Sequence, residues 1–206
     1  MLDNAIIEID KFFKTLFHKP ISTRPHPDNS ISDQEFTADE KKHIIGLMRI
    51  NHCGEVCAQG LYQGQALTAR DKSNQQALDH AAYQETEHLA WTEQRIQELG
   101  GKTSLLNPLF YVGSLAIGVS AGILGDKWNL GFLEETEKQV EAHLSDHLKK
   151  LPEHDNKSRA ILEQMKIDEI EHAHMAHDFG AAELPAPVKT LMKLTSKIMT
   201  SAAYKL

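Results

Sequence analysis

The chain has 206 residues, 41% hydrophobic and 25% charged, which fits one ordinary globular domain with a sizeable core and excludes a disordered or fibrous chain. A net charge of −7 argues against nucleic acid as the main partner, because phosphate binding needs a basic surface. The two cysteines, Cys53 and Cys57, lie four apart. One helical turn is poorly matched to a disulfide and two thiols alone make a weak zinc site, so they are expected as small buried side chains in a reducing compartment.

Helical periodicity dominates, with no convincing strand alternation, and an all-α fold is expected. Residues 3–18 predict a short amphipathic helix ending before Pro20. Asp3, Glu8 and Asp10 interrupt it, and it lacks the apolar core and cleavage site of a signal peptide, so a cytoplasmic protein is expected. The run PISTRPHPDNSIS reads as a linker, making residues 1–36 an amphipathic helix plus linker and 37–206 the main domain. The run Thr37–Glu40, TADE, fits a capping box and opens a helix expected to reach about Thr68. Gly46, Gly54, Gly60 and Gly64 weaken that helix, so close helix packing or ligand approach is the expected offset.

Further helices are expected over 73–99, stopped by Gly100-Gly101, and over 129–151, stopped by Pro152. Two more are expected over 156–179, stopped by Gly180, and over 187–204. Residues 103–125 carry no charge, and their length alone would permit a membrane span. Asn107, Pro108 and four glycines interrupt them, so a buried or membrane-surface crossover helix is favoured over a span. The C-terminal run 188–206 has four lysines and no acid beside an apolar side, the pattern of a helix that lies on an anionic membrane or in a partner groove; simple packing on the domain body is the plainer alternative.

The chemistry lies in a repeat. Glu85 and His88 form a Glu-x-x-His pair preceded by Glu55, and Glu169 and His172 form another preceded by Glu137. The offset is 82 for the single acids (55 to 137) and 84 for both members of the pair (85 to 169, 88 to 172). Glu137 falls on the stripe Leu130, Leu133, Val140, Leu144, Leu148 and Leu151, where a lone carboxylate would carry a large desolvation cost without a cation. Four helices thus aim acid, or acid plus imidazole, at one core. This is the ligand set of di-iron and di-manganese carboxylate bundles, and six ligands of which four are carboxylates favour iron or manganese over tetrahedral zinc.

The remaining candidates read as background. Glu134, Glu135 and Glu141 are expected on solvated faces, and His143, His147, His154 and His177 on the surface. His52 is either a support for a ligand or an ordinary core histidine. Glu171 and His174 make a second, overlapping Glu-x-x-His pair, but their face carries Gln164, Ile167 and Asp178, so they are expected to point outward.

The runs RINHCGEVCAQGLYQGQ, ETEHLAW and YVGSLAIGVSAGILGDKW, with the ligand spacing, resemble the demethoxyubiquinone hydroxylase family, also called 3-demethoxyubiquinol 3-hydroxylases, over nearly the whole chain. The resemblance implies a ferritin-like four-helix bundle, bound peripherally to the cytoplasmic face of the cell membrane. It implies two iron ions, the first served by Glu55, Glu85 and His88 and the second by Glu137, Glu169 and His172, with Glu85 and Glu169 bridging. The run ETEKQ departs from the family's two adjacent acids at this place by putting Lys138 after Glu137, which leaves Glu135 as a rival. The implied reaction inserts one atom of O2 at an unsubstituted ring carbon of a 2-polyprenyl-3-methyl-6-methoxy-1,4-benzoquinol, the other atom leaving as water. Other ubiquinone-biosynthesis proteins are implied partners. With no G-x-G-x-x-G present, electrons must come from a reductase, from the quinol, or from NADH bound without that motif. The alternatives are an iron-storing or peroxide-scavenging protein, a di-iron hydroxylase of another substrate such as modified tRNA, and a non-enzymatic lipid-binding helical module.

Overall fold

A computed structural model describes residues 2–32 and 34–206, and the side chains from residue 6 onward. Seven helices follow one another, α1 Leu2–Phe17, α2 Ala38–Thr68, α3 Lys72–Glu98, α4 Asn107–Ile123, α5 Asp126–Lys150, α6 Asn156–Asp178 and α7 Ala186–Ala203, with no strand among the described residues. The capping box forms as read: the Glu40 backbone N–H donates to the Thr37 hydroxyl while the Thr37 N–H donates to the Glu40 carboxylate.

The expected helix over 129–151 begins three residues earlier, at Asp126. Gly125, at φ 105°, ends α4 in a conformation that side chains avoid. The Asp126 carboxylate then accepts from the Arg70 and Asp71 backbone N–H groups. That contact ties the start of α5 to the loop joining α2 and α3.

Short loops make α2 with α3, and α5 with α6, antiparallel hairpins, and α3 packs on α6 and α2 on α5 to close a four-helix bundle. The charge-free run lies outside this bundle as α4, parallel to α2 and in extensive contact with it. Glycines allow that closeness. A Cβ added at Gly64 would sit 2.3 Å from the Leu115 carbonyl oxygen, and one at Gly118 would sit 2.1 Å from that of Leu61. The helix glycines that looked costly therefore permit backbone contact between α2 and α4. Among the described residues no helix is long and apolar enough to cross a membrane.

The core has two apolar layers. Met48, Trp91, Leu144 and Met165 fill one end, and Leu61, Leu78, Leu133 and Ala176 the other. On each bundle helix the acid or acid–imidazole position falls between them. Each fully buried leucine contributes roughly 1.5–3 kcal/mol. The desolvation of several unpaired ionised groups exceeds that, so the polar layer needs internal partners.

Candidate metal centre

The six predicted ligands meet in that layer. Glu55, Glu85, His88, Glu137, Glu169 and His172 are each no more than 3% exposed. Glu55, Glu85, His88 and Glu169 offer ligand atoms within 4.8 Å of one another, as do Glu85, Glu137, Glu169 and His172. Glu85 and Glu169 belong to both groups. Glu137, not Glu135, enters the layer; Glu135 is half-buried and pairs with Lys189 at 3.5 Å.

Both imidazoles turn Nδ1 inward. His88 Nδ1 lies 2.9 Å from Glu85 Oε2 and 3.4 Å from Glu169 Oε1. His172 Nδ1 lies 3.3 Å from Glu85 Oε1 and 3.3 Å from Glu169 Oε2. Their outward Nε2 atoms have defined partners: His88 Nε2 donates to Asp168 Oδ2 at 2.9 Å, and His172 Nε2 donates to Gln84 Oε1 at 2.8 Å. Because both outward nitrogens carry the hydrogen, each Nδ1 lone pair becomes available to a metal once its proton leaves.

Asp168 and Gln84 escaped the sequence reading, yet the signal was there. Each stands immediately before the glutamate of its own pair, at the same offset of 84 (84 to 168), and each holds the histidine of the other half. Tyr62 also escaped; its hydroxyl donates to Glu137 Oε1. The expected linker is partly structural: Arg24 makes a forked pair with Asp168 at 2.7 and 3.2 Å, and the Ser22 and Thr23 hydroxyls donate to Glu87.

The electrostatics fit a cation site. Burial first, and repulsion from neighbouring carboxylates second, push Glu55 and Glu137 well above the usual carboxylate range. Burial opposes ionisation of Glu85 too, but His88 and His172 outweigh it and hold Glu85 well below that range. Burial would favour neutral imidazoles, yet the surrounding carboxylates raise His88 strongly and His172 to about 11. Protons thus neutralise charge that divalent ions can neutralise instead. Glu85 Oε1 and Glu169 Oε1 are buried and make no hydrogen bond to any described residue. Oxygen-rich donors with two imidazoles and two spare carboxylate oxygens suit two iron or manganese ions.

Four background assignments change, the half-buried Glu135 already described among them. His147, expected on the surface, is 2% exposed, because its Nδ1–H donates to Asn51 Oδ1 at 2.9 Å inside the bundle. His143 beside it is half-buried. Glu134, expected to be solvated, is only 9% exposed, covered by Lys138 at 2.5 Å and His177 at 3.4 Å. His52 is buried near Asn107, with burial pulling it down to about 4, and belongs to neither group of converging ligand atoms: it is a core histidine. Glu171, His174, His154 and His177 are exposed, as expected, and Glu141 is half-buried. Cys53 is buried and Cys57 partly so, both as free thiols.

A cavity of about 550 Å³ opens from this layer. Glu55, Glu85, Glu137 and Glu169 stand at its floor, and residues of α2, α4, α5 and α7 form its largely apolar walls. A second apolar cavity of about 590 Å³ shares Ile117, Phe132 and Val188 with it.

The family described as "Ubiquinone biosynthesis protein COQ7" matches residues 41–203 of the chain. A Chromobacterium violaceum protein named 3-demethoxyubiquinol 3-hydroxylase is 64% identical over 205 residues, covering 100% of both chains. Proteins of the same name from Laribacter hongkongensis and Dechloromonas aromatica are 62% and 57% identical, covering 99% and 98% of both chains.

Proposed function

The chain belongs to the ubiquinone biosynthesis protein COQ7 family, and on that premise we propose that it hydroxylates demethoxyubiquinol at a two-metal centre formed by Glu55, Glu85, His88, Glu137, Glu169 and His172. It is an all-helical, hydroxylating oxidoreductase of ubiquinone biosynthesis. The observation that carries the reading is one buried layer of four carboxylates and two imidazoles facing a cavity of ring-binding size. Two iron ions held there by those six residues would supply the activation of O2.

The chain's own residues supply the rest. Asp168 and Gln84 keep each histidine's hydrogen on Nε2. Tyr62 orients Glu137. The apolar walls limit water around the reacting ring, and the adjoining apolar cavity extends the path available to the prenyl tail. The electron donor is external: a reductase, NADH, or the quinol itself.

The substrate arrives from the membrane surface. Leu109, on α4, and Leu191 and Ile198, on α7, line the cavity and are also 67%, 64% and 70% exposed, so its rim is apolar. Ile6, Phe13 and Phe17 of α1 add exposed apolar surface, and Lys193 and Lys197 supply positive charge on α7 for an anionic bilayer. An iron-storing bundle has no use for a lipid-facing entrance.

Quinone profiling of a strain lacking the protein tests the function. Accumulated demethoxyubiquinone, cleared by the wild-type chain, is expected. Normal ubiquinone in that strain would overturn the reading.

A further inference from the structure

Among the polar groups that line the cavity, Asn51 and His143 each hold a buried nitrogen with no hydrogen-bond partner among the described residues, and we propose that they form the subsite that hydrogen-bonds the oxygens of the quinol ring. This deepens the reading above and rests on it. Asn51 lies one turn before Glu55 on α2, so its side chain borders the cavity next to the floor of carboxylates. It is only 4% exposed. Its Oδ1 accepts from His147 Nδ1 at 2.9 Å. Burial, with His143 and Lys150 nearby, pulls His147 down to about 3 and keeps it neutral. A neutral ring donating through Nδ1 fixes the amide, with Oδ1 held by α5 and Nδ2 left over.

Among the described residues Asn51 Nδ2 has no hydrogen-bond partner, although it is buried. The same holds for Nε2 of His143, whose ring lies against that of His147 with centroids 3.9 Å apart. Both residues line the cavity beside Ile50, Val140 and Leu144, whose side chains offer no substitute partner. Buried polar atoms without partners are uncommon and call for an explanation, and a ligand oxygen supplies one. A benzoquinol matches the chemistry. The amide N–H of Asn51 donates to a ring oxygen. His143 Nε2 accepts from a quinol hydroxyl or, as the other tautomer, donates to a quinone carbonyl. Prenyl tails satisfy neither atom, so this pair seats the ring and leaves the tail to the apolar walls. His147 acts through Asn51 as a positioning residue.

Binding of 2-decyl-3-methyl-6-methoxy-1,4-benzoquinone and of decylbenzene to the full-length, iron-loaded protein tests this, with iron content measured throughout. Asn51→Leu and His143→Leu should each raise the Kd for the quinone by about 5–20-fold, leaving decylbenzene binding and iron content unchanged. His147→Phe should raise KM with kcat held within about twofold. Because His143 is only half-buried, its variant keeps the test open if Asn51→Leu fails to fold. Unchanged quinone affinity in the folded variants, parallel loss of both ligands, or loss of iron would each overturn the assignment. Failure of the wild-type protein to bind the quinone would overturn the hydroxylase reading with it, whereas normal wild-type binding with unaffected variants would overturn the subsite alone.

Discussion

Asp168→Ala should weaken metal binding without abolishing it. Asp168 is 3% exposed and accepts from His88 Nε2 at 2.9 Å, from Arg24 at 2.7 and 3.2 Å, and from Gln164 at 2.9 Å. Burial opposes its ionisation, but the hydrogen bonds from His88 and Arg24 prevail and hold it down to about 2, so a full negative charge backs the imidazole. Its loss frees the His88 ring to turn and makes Nδ1 a poorer donor. Outer partners of metal-bound histidines are typically worth about 10–100-fold in metal affinity, roughly 1.4–2.7 kcal/mol. Arg24 can rehydrate because its side chain is 34% exposed, so folding stability should fall by only about 1–2 kcal/mol, less than for a sealed ion pair. Gln84→Ala should cost less affinity, near tenfold, since an uncharged amide backs His172. Arg24→Ala leaves the Asp168–His88 contact standing and should change affinity by less than about threefold. Chelator-competition titration of iron(II), with thermal denaturation of the metal-free proteins, reads each quantity. Wild-type affinity in Asp168→Ala, or an equal loss in Arg24→Ala, would refute the argument that the aspartate acts through His88.

Glu169→Ala should abolish iron binding and hydroxylation, whereas Glu171→Ala, on the exposed face, should leave both near wild type by metal analysis and turnover; equal damage would show that the wrong pair was chosen. Gly118→Val must drive α4 away from the Leu61 carbonyl oxygen, and a loss of about 2–3 kcal/mol, some 4–12 °C in Tm, is expected by calorimetry. Acid should destabilise the protein through His52 and His147, which burial holds neutral down to about 4 and about 3. Unfolded histidines protonate near 6.5, so between there and about 4 these two histidines bind more protons in the unfolded chain, and their contribution to stability falls as pH falls. Denaturant titrations of His147→Leu should show a shallower fall over that window. Removing residues 187–206 should weaken vesicle binding and expose the cavity while leaving iron bound, because α7 lines that cavity and supplies none of the six candidate ligands.

The six-residue constellation was legible in the sequence because it is written twice at nearly one spacing and because α5 and α6 each bury one stripe. Glu137 could be placed among Leu130, Leu133 and Leu144 for that reason. The surroundings were harder to read where an element packs on several sides. Helix α2 touches α3, α4, α5 and α7, so its buried residues run round the helix and its periodicity no longer says which of Asn51, His52 and Glu55 faces the carboxylate layer. His147 was misplaced for a related reason. Its neighbours Lys149 and Lys150 look solvent-facing, and the partner that buries it, Asn51, is 96 residues away. The linker concealed Arg24 likewise, since contact with Asp168 across 144 residues leaves no local trace.

The same packing explains how one bundle holds both a charged layer and an apolar cavity. Two apolar layers sandwich the carboxylates and keep them in register, and a fifth helix would only thicken that core if it packed symmetrically. Helix α4 packs mainly on α2, through glycines that bring the two backbones together, and leaves Leu109, Val112 and Ile123 outward. With α2 gripped from outside, α5 and α7 need not close over Glu55 and Glu137, and the space between them becomes the cavity. The charge-free segment that resembles a membrane span in composition is better understood as the wall that holds this space open. A bulky residue at Gly64 or Gly118 should therefore impair ring binding as well as stability, with the six metal-layer side chains untouched.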